Sequence, residues 1–520
     1  GYLYLLCDNY SFYIIDQKKK TINNISKKYP DIFEGKLSQS IFVDEHDIIW
    51  IATNKGLIKV EERPQIFNKF LSNLTSRVST RTIIEDEQEG IFIGSYSGLW
   101  NKSANSKDWT NYNTNTREVV ANEPLAYQGT VQPLALLKQN DSKYYYVGFE
   151  YSRLLKFDKI KKVYERINYT VSPGSESINS IFCLKEDKFG IIWIGTGNGL
   201  ASYNPATNNL TLHRNNAFDI GKSRVRYLYM DGDIMYVGTN KGFFKIDLEE
   251  GITKVYNVLS TPALSQEDVL FIDKDKEGRL WLGTNGGGVN IIAADGNSIE
   301  RIRKQNGLSS DIVYSILPEN ETTVWISTFN GLDRYRKDKR SFNNFFEEDG
   351  LSSNEFNNNS FLKAKDGSMY FGSINGVTTF HPSQFVPPPA FSIFLSGISK
   401  WDDKLQSLKM LNEVVGQNNT IIKKSSDVLV ELHFGITDYS DPLRNIYSYR
   451  VKEIANNWIS LDERHTLNLD GLSPGLYTVE VKAINARGAS SANTLTLKVK
   501  IEQPFYRTAW FYFLILLCIA

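Results

Sequence analysis

Five histidines, three cysteines and a scatter of carboxylates are the residues of this chain whose types could do chemistry. His46, His213, His381, His433 and His465 fall in five separate stretches, and no pair has the spacing of metal ligands. Cys7, Cys183 and Cys518 stand too far apart for a local disulfide framework or a metal knuckle. No metal, no cofactor and no catalytic residue is expected from these groups. Acidic residues recur more regularly, and Asp187 and Asp275 each precede a Gly by three positions. That is turn chemistry, not a carboxylate pair for acid–base work or calcium. Asn285-Gly286-Gly287-Gly288 joins two strand-like runs instead of opening a helix, so it lacks the cradle of N–H groups that holds a phosphate. Binding is the chemistry that remains. Amides and aromatics crowd the short hairpins at Tyr96, Tyr151, Asn198, Asn240, Asn285, Phe329, Asn330 and Asn375, with Arg224 and Arg226 at a junction between repeats. An insertion at 101–131 holds Trp109, Tyr112, Arg117 and Tyr127, and long loops in compact folds are often functional. Flat rings that stack on sugar faces, beside groups that hydrogen-bond hydroxyls or carboxylates, suit an oligosaccharide. Tyr96, Trp109, Tyr127, Tyr151, Arg224, Arg226, Asn285, Phe329 and Asn330 are the ligand-binding candidates.

The elements that must position these residues come from one repeat. Its clearest copy is Trp193-Ile194-Gly195-Thr196-Gly197-Asn198-Gly199-Leu200. Similar copies begin at Trp50, Phe92, Tyr236, Trp281, Trp325 and Tyr370, and weaker ones at Tyr4 and Tyr146. The period is about 45 residues, that of a four-stranded propeller blade. Around Trp193, residues 178–184 predict an inner strand, Asp187 to Gly190 a turn and 191–196 a second strand. Gly197-Asn198-Gly199 allows the positive φ of a tight hairpin, and 200–203 and 210–213 complete the meander.

One meander cannot bury both faces, so copies must stack around an axis and close into a ring. Counting back from Tyr370, seven copies reach Phe92, which predicts a seven-bladed β-propeller over 64–386. Residues 1–63 then read as the last blades of a truncated preceding propeller. The final copy runs into Pro387-Pro388-Pro389 without an outer strand, and 65–71 could supply it and lock the ring. A stiff proline spacer leads to an Ig-like β-sandwich over 390–503, where residues 477–483 alternate as a sheet with one wet face requires. Residues 510–520 read WFYFLILLCIA, apolar throughout. That run is about half of the ~20 residues a span needs, so 508–520 is expected to be the start of a transmembrane helix.

Composition supports an all-β protein and excludes one class of partner. Aromatic content of 13 % suits pleated, half-buried surfaces. Formal net charge is +0 and no long run of one sign occurs, so the basic footprint of a nucleic-acid binder is missing.

Blades carrying Asp-x-x-Gly and then Trp-Ile-Gly-Thr resemble the regulator-propeller repeats of glycan-sensing hybrid two-component sensors. Tyr447-x-Tyr449-Arg450-Val451, Trp458, Leu472-Ser473-Pro474-Gly475-x-Tyr477 and Val481-Lys482-Ala483-x-Asn485-x-x-Gly488 resemble the triple-tyrosine domain that follows those propellers. The resemblance covers essentially the whole chain. It implies a periplasmic region of an inner-membrane protein that binds oligosaccharide and dimerises through the sandwich. A single C-terminal helix would then lead to a cytoplasmic histidine kinase, receiver and DNA-binding region controlling polysaccharide-utilisation genes. No kinase sequence occurs in this chain, so no enzymatic activity is assigned to it. Two other readings remain open: a propeller polysaccharide lyase or hydrolase, and a surface scaffold for protein partners.

Overall fold

The computed structural model describes all residues except 1, 8–10, 45–46, 62–65, 73–77, 104–107, 113–131, 140–142, 151–153, 174–177, 179, 386–389, 403, 412–419, 463, 487, 508 and 520. Two compact units divide the chain, Gln65–Val386 and Gly1–Pro64 with Pro387–Ala520.

The first unit is a seven-bladed β-propeller. Its blades, numbered here in chain order, begin with the inner strands Thr80–Asp86, Pro133–Lys138, Ile181–Glu186, Val225–Asp231, Val269–Lys274, Val313–Pro318 and Phe356–Lys363. Blade 3 shows why the repeat folds this way. Ile181–Glu186, Ile192–Thr196, Gly199–Asn204 and Asn209–Leu212 pair antiparallel in sequence order. In the first turn Asp187 Oδ1 accepts the N–H groups of Phe189 and Ile191, and Oδ2 accepts the Trp193 indole N–H at 2.8 Å. Trp281 donates likewise to Asp275, and Trp325 to Glu319. The recurring acid therefore ties the turn to the recurring tryptophan. Thr196 then closes the hairpin, its hydroxyl donating to Gly199 O at 2.7 Å while accepting the N–H of Asn198. Gly199 adopts φ 113°, a conformation costly for any residue with a Cβ.

Gly195 has a different reason. A Cβ there would lie 2.6 Å from Val225 Cγ1 on the next blade, and at Gly283 it would lie 2.8 Å from Val313 O. The small residue lets neighbouring blades touch. Trp193 fills the rest of that seam, packed with Val225, Leu228 and Val237 of blade 4.

Three features go beyond the repeat read from sequence. The inner strand of blade 3 starts at Ile181, not Ile178. Every inner strand carries a register shift near its start. Blade 3 also gains a fifth, outermost strand, Thr170–Val171, parallel to Asn209–Leu212. The ring closes on itself: Asn68–Phe70 pairs with Gly376–Phe380 as the outer strand of blade 7. Phe67 is buried there against Phe345, Phe380 and Phe385.

In the second unit two three-stranded meanders, Tyr2–Leu6 to Thr21–Asn24 and Ser38–Val43 to Gly56–Val60, belong with a β-sandwich. One sandwich sheet has four strands around Ile393–Asp402 and Val430–Ile436; the other has five around Leu495–Ile501, Gly475–Ile484 and Ile446–Val451. Val430, Leu432, Phe434 and Ile436 alternate inward onto Val479, Val481, Ala483 and Val499. On the opposite face of Ile446–Val451 and Gly475–Ile484, Arg450 and Lys482 lie over Trp458 at 4.8 and 4.4 Å, and Glu480 binds Arg450 and Lys452. Ala509–Ile519 is helical. Among the described residues no helix is long and apolar enough to cross a membrane.

Candidate functional site

Because the inner strand of each blade runs antiparallel to the second, its start lies beside the hairpin that joins the second and third strands; Val225, for example, faces Thr239. The register shifts sit at that end, where an extra residue re-aims a side chain. Arg81, Leu134, Phe182, Arg226, Leu270 and Tyr314 occupy the shifts of blades 1 to 6. Blade 7 carries a longer bulge, Asn357-Asn358-Asn359-Ser360, between the pairs Phe356–Ser373 and Phe361–Phe371.

These positions meet at the axis. Asn359 of blade 7, at φ 60°, donates from Nδ2 to Phe182 O of blade 3 at 3.1 Å and to Arg226 O of blade 4 at 3.0 Å. Asn357 accepts from Arg81 Nη1 at 3.3 Å and donates to Ser79 Oγ at 3.2 Å. The Arg81 guanidinium lies 4.4 Å from the Tyr96 ring centre and donates to its hydroxyl. Arg226 grips Asp268 with Nε and Nη2, both at 2.9 Å, and Asn285 Nδ2 donates to the same carboxylate at 3.0 Å. Arg224 lies 5.8 Å over the Phe182 ring. Burial first and the Glu355 charge second push the Tyr314 hydroxyl up to about 12, against the lowering effect of Arg81 and Arg226. Arg81 Nε and Asn359 Oδ1 in this cluster, and Asn358 Oδ1 in the bulge, are buried and make no hydrogen bond.

Of the residues singled out from sequence, Tyr96, Arg226 and Asn285 join this network and Arg224 flanks it. Phe329 and Asn330 occupy the blade 6 hairpin; Phe329 is 44 % exposed and the Asn330 N–H is taken by Thr328 Oγ1. Trp109 lies elsewhere, against Phe70 at 5.6 Å in the apolar seam of blades 1 and 7. Tyr112 packs on Phe157. Tyr127 and Tyr151 lie outside the described residues, as do Arg117 and His46. Sequence reasoning passed over Arg81, Asp268, Tyr314 and the bulge at 357–360. A signal was present: three consecutive asparagines, a residue depleted from strands, stand where an inner strand is due.

At the opposite end, a cavity of 460 Å³ lies between the first turns of blades 5 and 6, floored by Trp281, Ile316 and Val324. Three of its acids have structural partners: Asp275 holds Arg279 and Trp281, Glu319 holds Arg334 and Trp325, and Glu321 holds Lys276. Among the described residues no group of His, Cys, Asp and Glu could hold a metal ion.

The family model of the two component regulator propeller matches residues 175–198, and that of the Y_Y_Y domain matches residues 438–502. A curated relative, histidine kinase P4 of Formosa agariphila, is 25 % identical over 367 residues, which is 66 % of this chain and 26 % of that protein. The chain thus spans about a quarter of the relative's length. Two solved extracellular domains of putative hybrid two component systems from B. thetaiotaomicron are similar to it. One, at 17 % identity, covers 96 % of this chain and 69 % of its own with TM-score 0.48. The other, at 19 %, covers 97 % and 77 % with TM-score 0.35. The chain therefore carries two component regulator propeller sequence and, after it, a Y_Y_Y domain.

Proposed function

We propose that this chain is the extracytoplasmic sensor region of a hybrid two-component histidine kinase, and that it binds oligosaccharide at the axial mouth of its propeller. The observation that carries the reading is the hydrogen-bonded network through which blade 7 reaches blades 1, 3 and 4. A ligand seated on that network touches several blades at once. Binding can then alter how the blades bear on one another, which is what a sensor requires. Aromatic rings at Tyr96, Phe182 and Tyr314 stand beside the polar groups, as sugar recognition needs. The regulator-propeller and Y_Y_Y matches support a signalling role. In this reading the region is periplasmic, pairs with a second copy through its sandwich, and passes its signal through a membrane helix beginning near Ala509 to a kinase that controls polysaccharide-utilisation genes.

The test is calorimetric titration of the 520-residue chain with a panel of neutral and acidic oligosaccharides, with the products examined. Binding without turnover, weakened about tenfold or more by Arg226→Ala, supports the reading. Product formation moves it to a polysaccharide lyase or hydrolase, and no binding across the panel moves it to a protein-binding scaffold.

A further inference from the structure

We propose that the 460 Å³ cavity between the first turns of blades 5 and 6 is a second binding site, and that it takes a small zwitterion with an apolar body, a free hydrophobic amino acid or dipeptide. Its volume falls in the range of small-molecule sites, ~300–1,000 Å³, and its floor of Trp281, Ile316 and Val324 is apolar. The charges around that floor decide what it takes. Glu277 binds Arg279, Lys274 binds Asp231, and Lys363 donates to the carbonyls of Pro318 and Glu319. Asp275, Glu319 and Glu321 are held by Arg279, Arg334 and Lys276. Two side chains are left over, one of each sign. Asp273 accepts the N–H of Lys274 with Oδ1, and among the described residues no side chain donates to it; Lys185 of blade 3 acts on it only through its charge. The Lys337 ammonium lies 5.7 Å from the centre of the Trp281 ring, and Glu321, already held by Lys276, acts on it only through its charge.

The blade does not need the carboxylate of Asp273. In the ladder between first and second strands Asp273 stands opposite Trp281. At the same place blades 1, 2, 6 and 7 carry Ile84, Leu137, Leu317 and Leu362, opposite Phe92, Tyr146, Trp325 and Tyr370. An aliphatic residue therefore serves the repeat there. Blades 3 and 4 depart from it too, with Lys185 and Tyr229, but Asp273 is the departure that lines the cavity. Burial pushes its carboxyl up from the ordinary value, against the Lys274 N–H, so its charge is not fully balanced by the protein. Asp273 and Lys337 are both partly exposed, open to a solute yet shielded enough for a charged hydrogen bond to count. A zwitterion meets both, its ammonium on Asp273, its carboxylate on Lys337 and its side chain on the apolar floor. A simple cation or anion would meet only one.

The experiment is calorimetric titration of the whole chain with leucine and with leucyl-leucine, each beside its N-acetylated and its C-amidated form. At least one free zwitterion should bind, and blocking either end should weaken it about tenfold. The titrations are repeated with Asp273→Leu, which installs the residue type other blades carry, and with Lys337→Met. Each variant should keep the wild-type melting temperature and lose about tenfold in affinity. N-acetylation should then cost nothing further in Asp273→Leu, and amidation nothing further in Lys337→Met, which assigns each end of the ligand to its residue. No binding of either free ligand overturns the proposal, as does equal binding of the blocked forms or wild-type affinity in both variants. The cavity lies at the other end of the propeller from the mouth, so none of these outcomes depends on the oligosaccharide titration.

Discussion

His213 and Asp333 are two buried residues of the propeller whose protonation opposes the usual expectation, and their effects on stability have opposite signs. His213 stacks on Trp193 at 5.2 Å and contacts Ser202 Oγ and Asn216 Nδ2. Burial pushes its imidazole down to about 4, against the raising effect of Asp219. The unfolded chain, near 6.5, then binds the proton more readily than the folded one. The stability His213 contributes is present above pH 6.5 and is lost as pH falls toward 4, on the order of 3 kcal/mol. Asp333 accepts from Ser309 and Asn344, yet burial pushes its carboxyl up to about 7. Its contribution is present below pH 3.8 and is lost as pH rises through 7. Between pH 4 and 6.5 the two slopes oppose each other. Denaturant midpoints measured across that range should rise with pH in Asp333→Asn and fall with pH in His213→Gln. Parallel curves for the two variants would refute the assignment. A second residue-scale prediction concerns the Trp–acid pairs: Trp281→Phe leaves Asp275 Oδ2 without its indole donor and should cost about 1–2 kcal/mol in urea denaturation.

At the scale of the element, the glycine before the hairpin threonine sets how closely blades approach. Gly283→Ala would bring its Cβ to 2.8 Å from Val313 O and 3.0 Å from Val313 Cγ1. Backbone cannot give way as a flexible side chain can, so this single methyl should cost about 1–3 kcal/mol, read from the shift of the denaturant midpoint at constant slope. Blade 6 supplies an internal control. It has Ser327 at the equivalent place, where the hydroxyl meets Ser315 Oγ at 2.6 Å, and Ser327→Gly should be far milder than the reverse change in blade 5. The hairpins and first turns were legible in the sequence because their bonds are local: Asp187 reaches only to Trp193, and Thr196 only to Gly199. The register shifts of blades 1 to 6 were not, since each follows the first paired residue of its strand and leaves too short a run before it for the break in alternation to show.

At the scale of the molecule, ring closure by Asn68–Phe70 joins the start of the propeller to its last blade. Phe67→Ala removes a fully buried ring from among three other phenylalanines and should cost about 3–5 kcal/mol. Hydrogen exchange should show the loss first in blade 7, whose outer strand this segment supplies; uniform loss across all blades would argue against a local seam. The residues of the repeat, their turns and their strands follow from bonds spanning a few positions, so the blade and its recurrence were readable from amino-acid types alone. The mouth was not. Asn359 binds residues 177 and 133 positions away, and Arg81 meets Asn357 across 276. No local pattern encodes which side chains a closed ring will bring to its axis, because that depends on blade number, on register shifts and on the angle at which each blade meets the next. Sequence decided what each blade is; only closure of the ring decided which of its residues stand together.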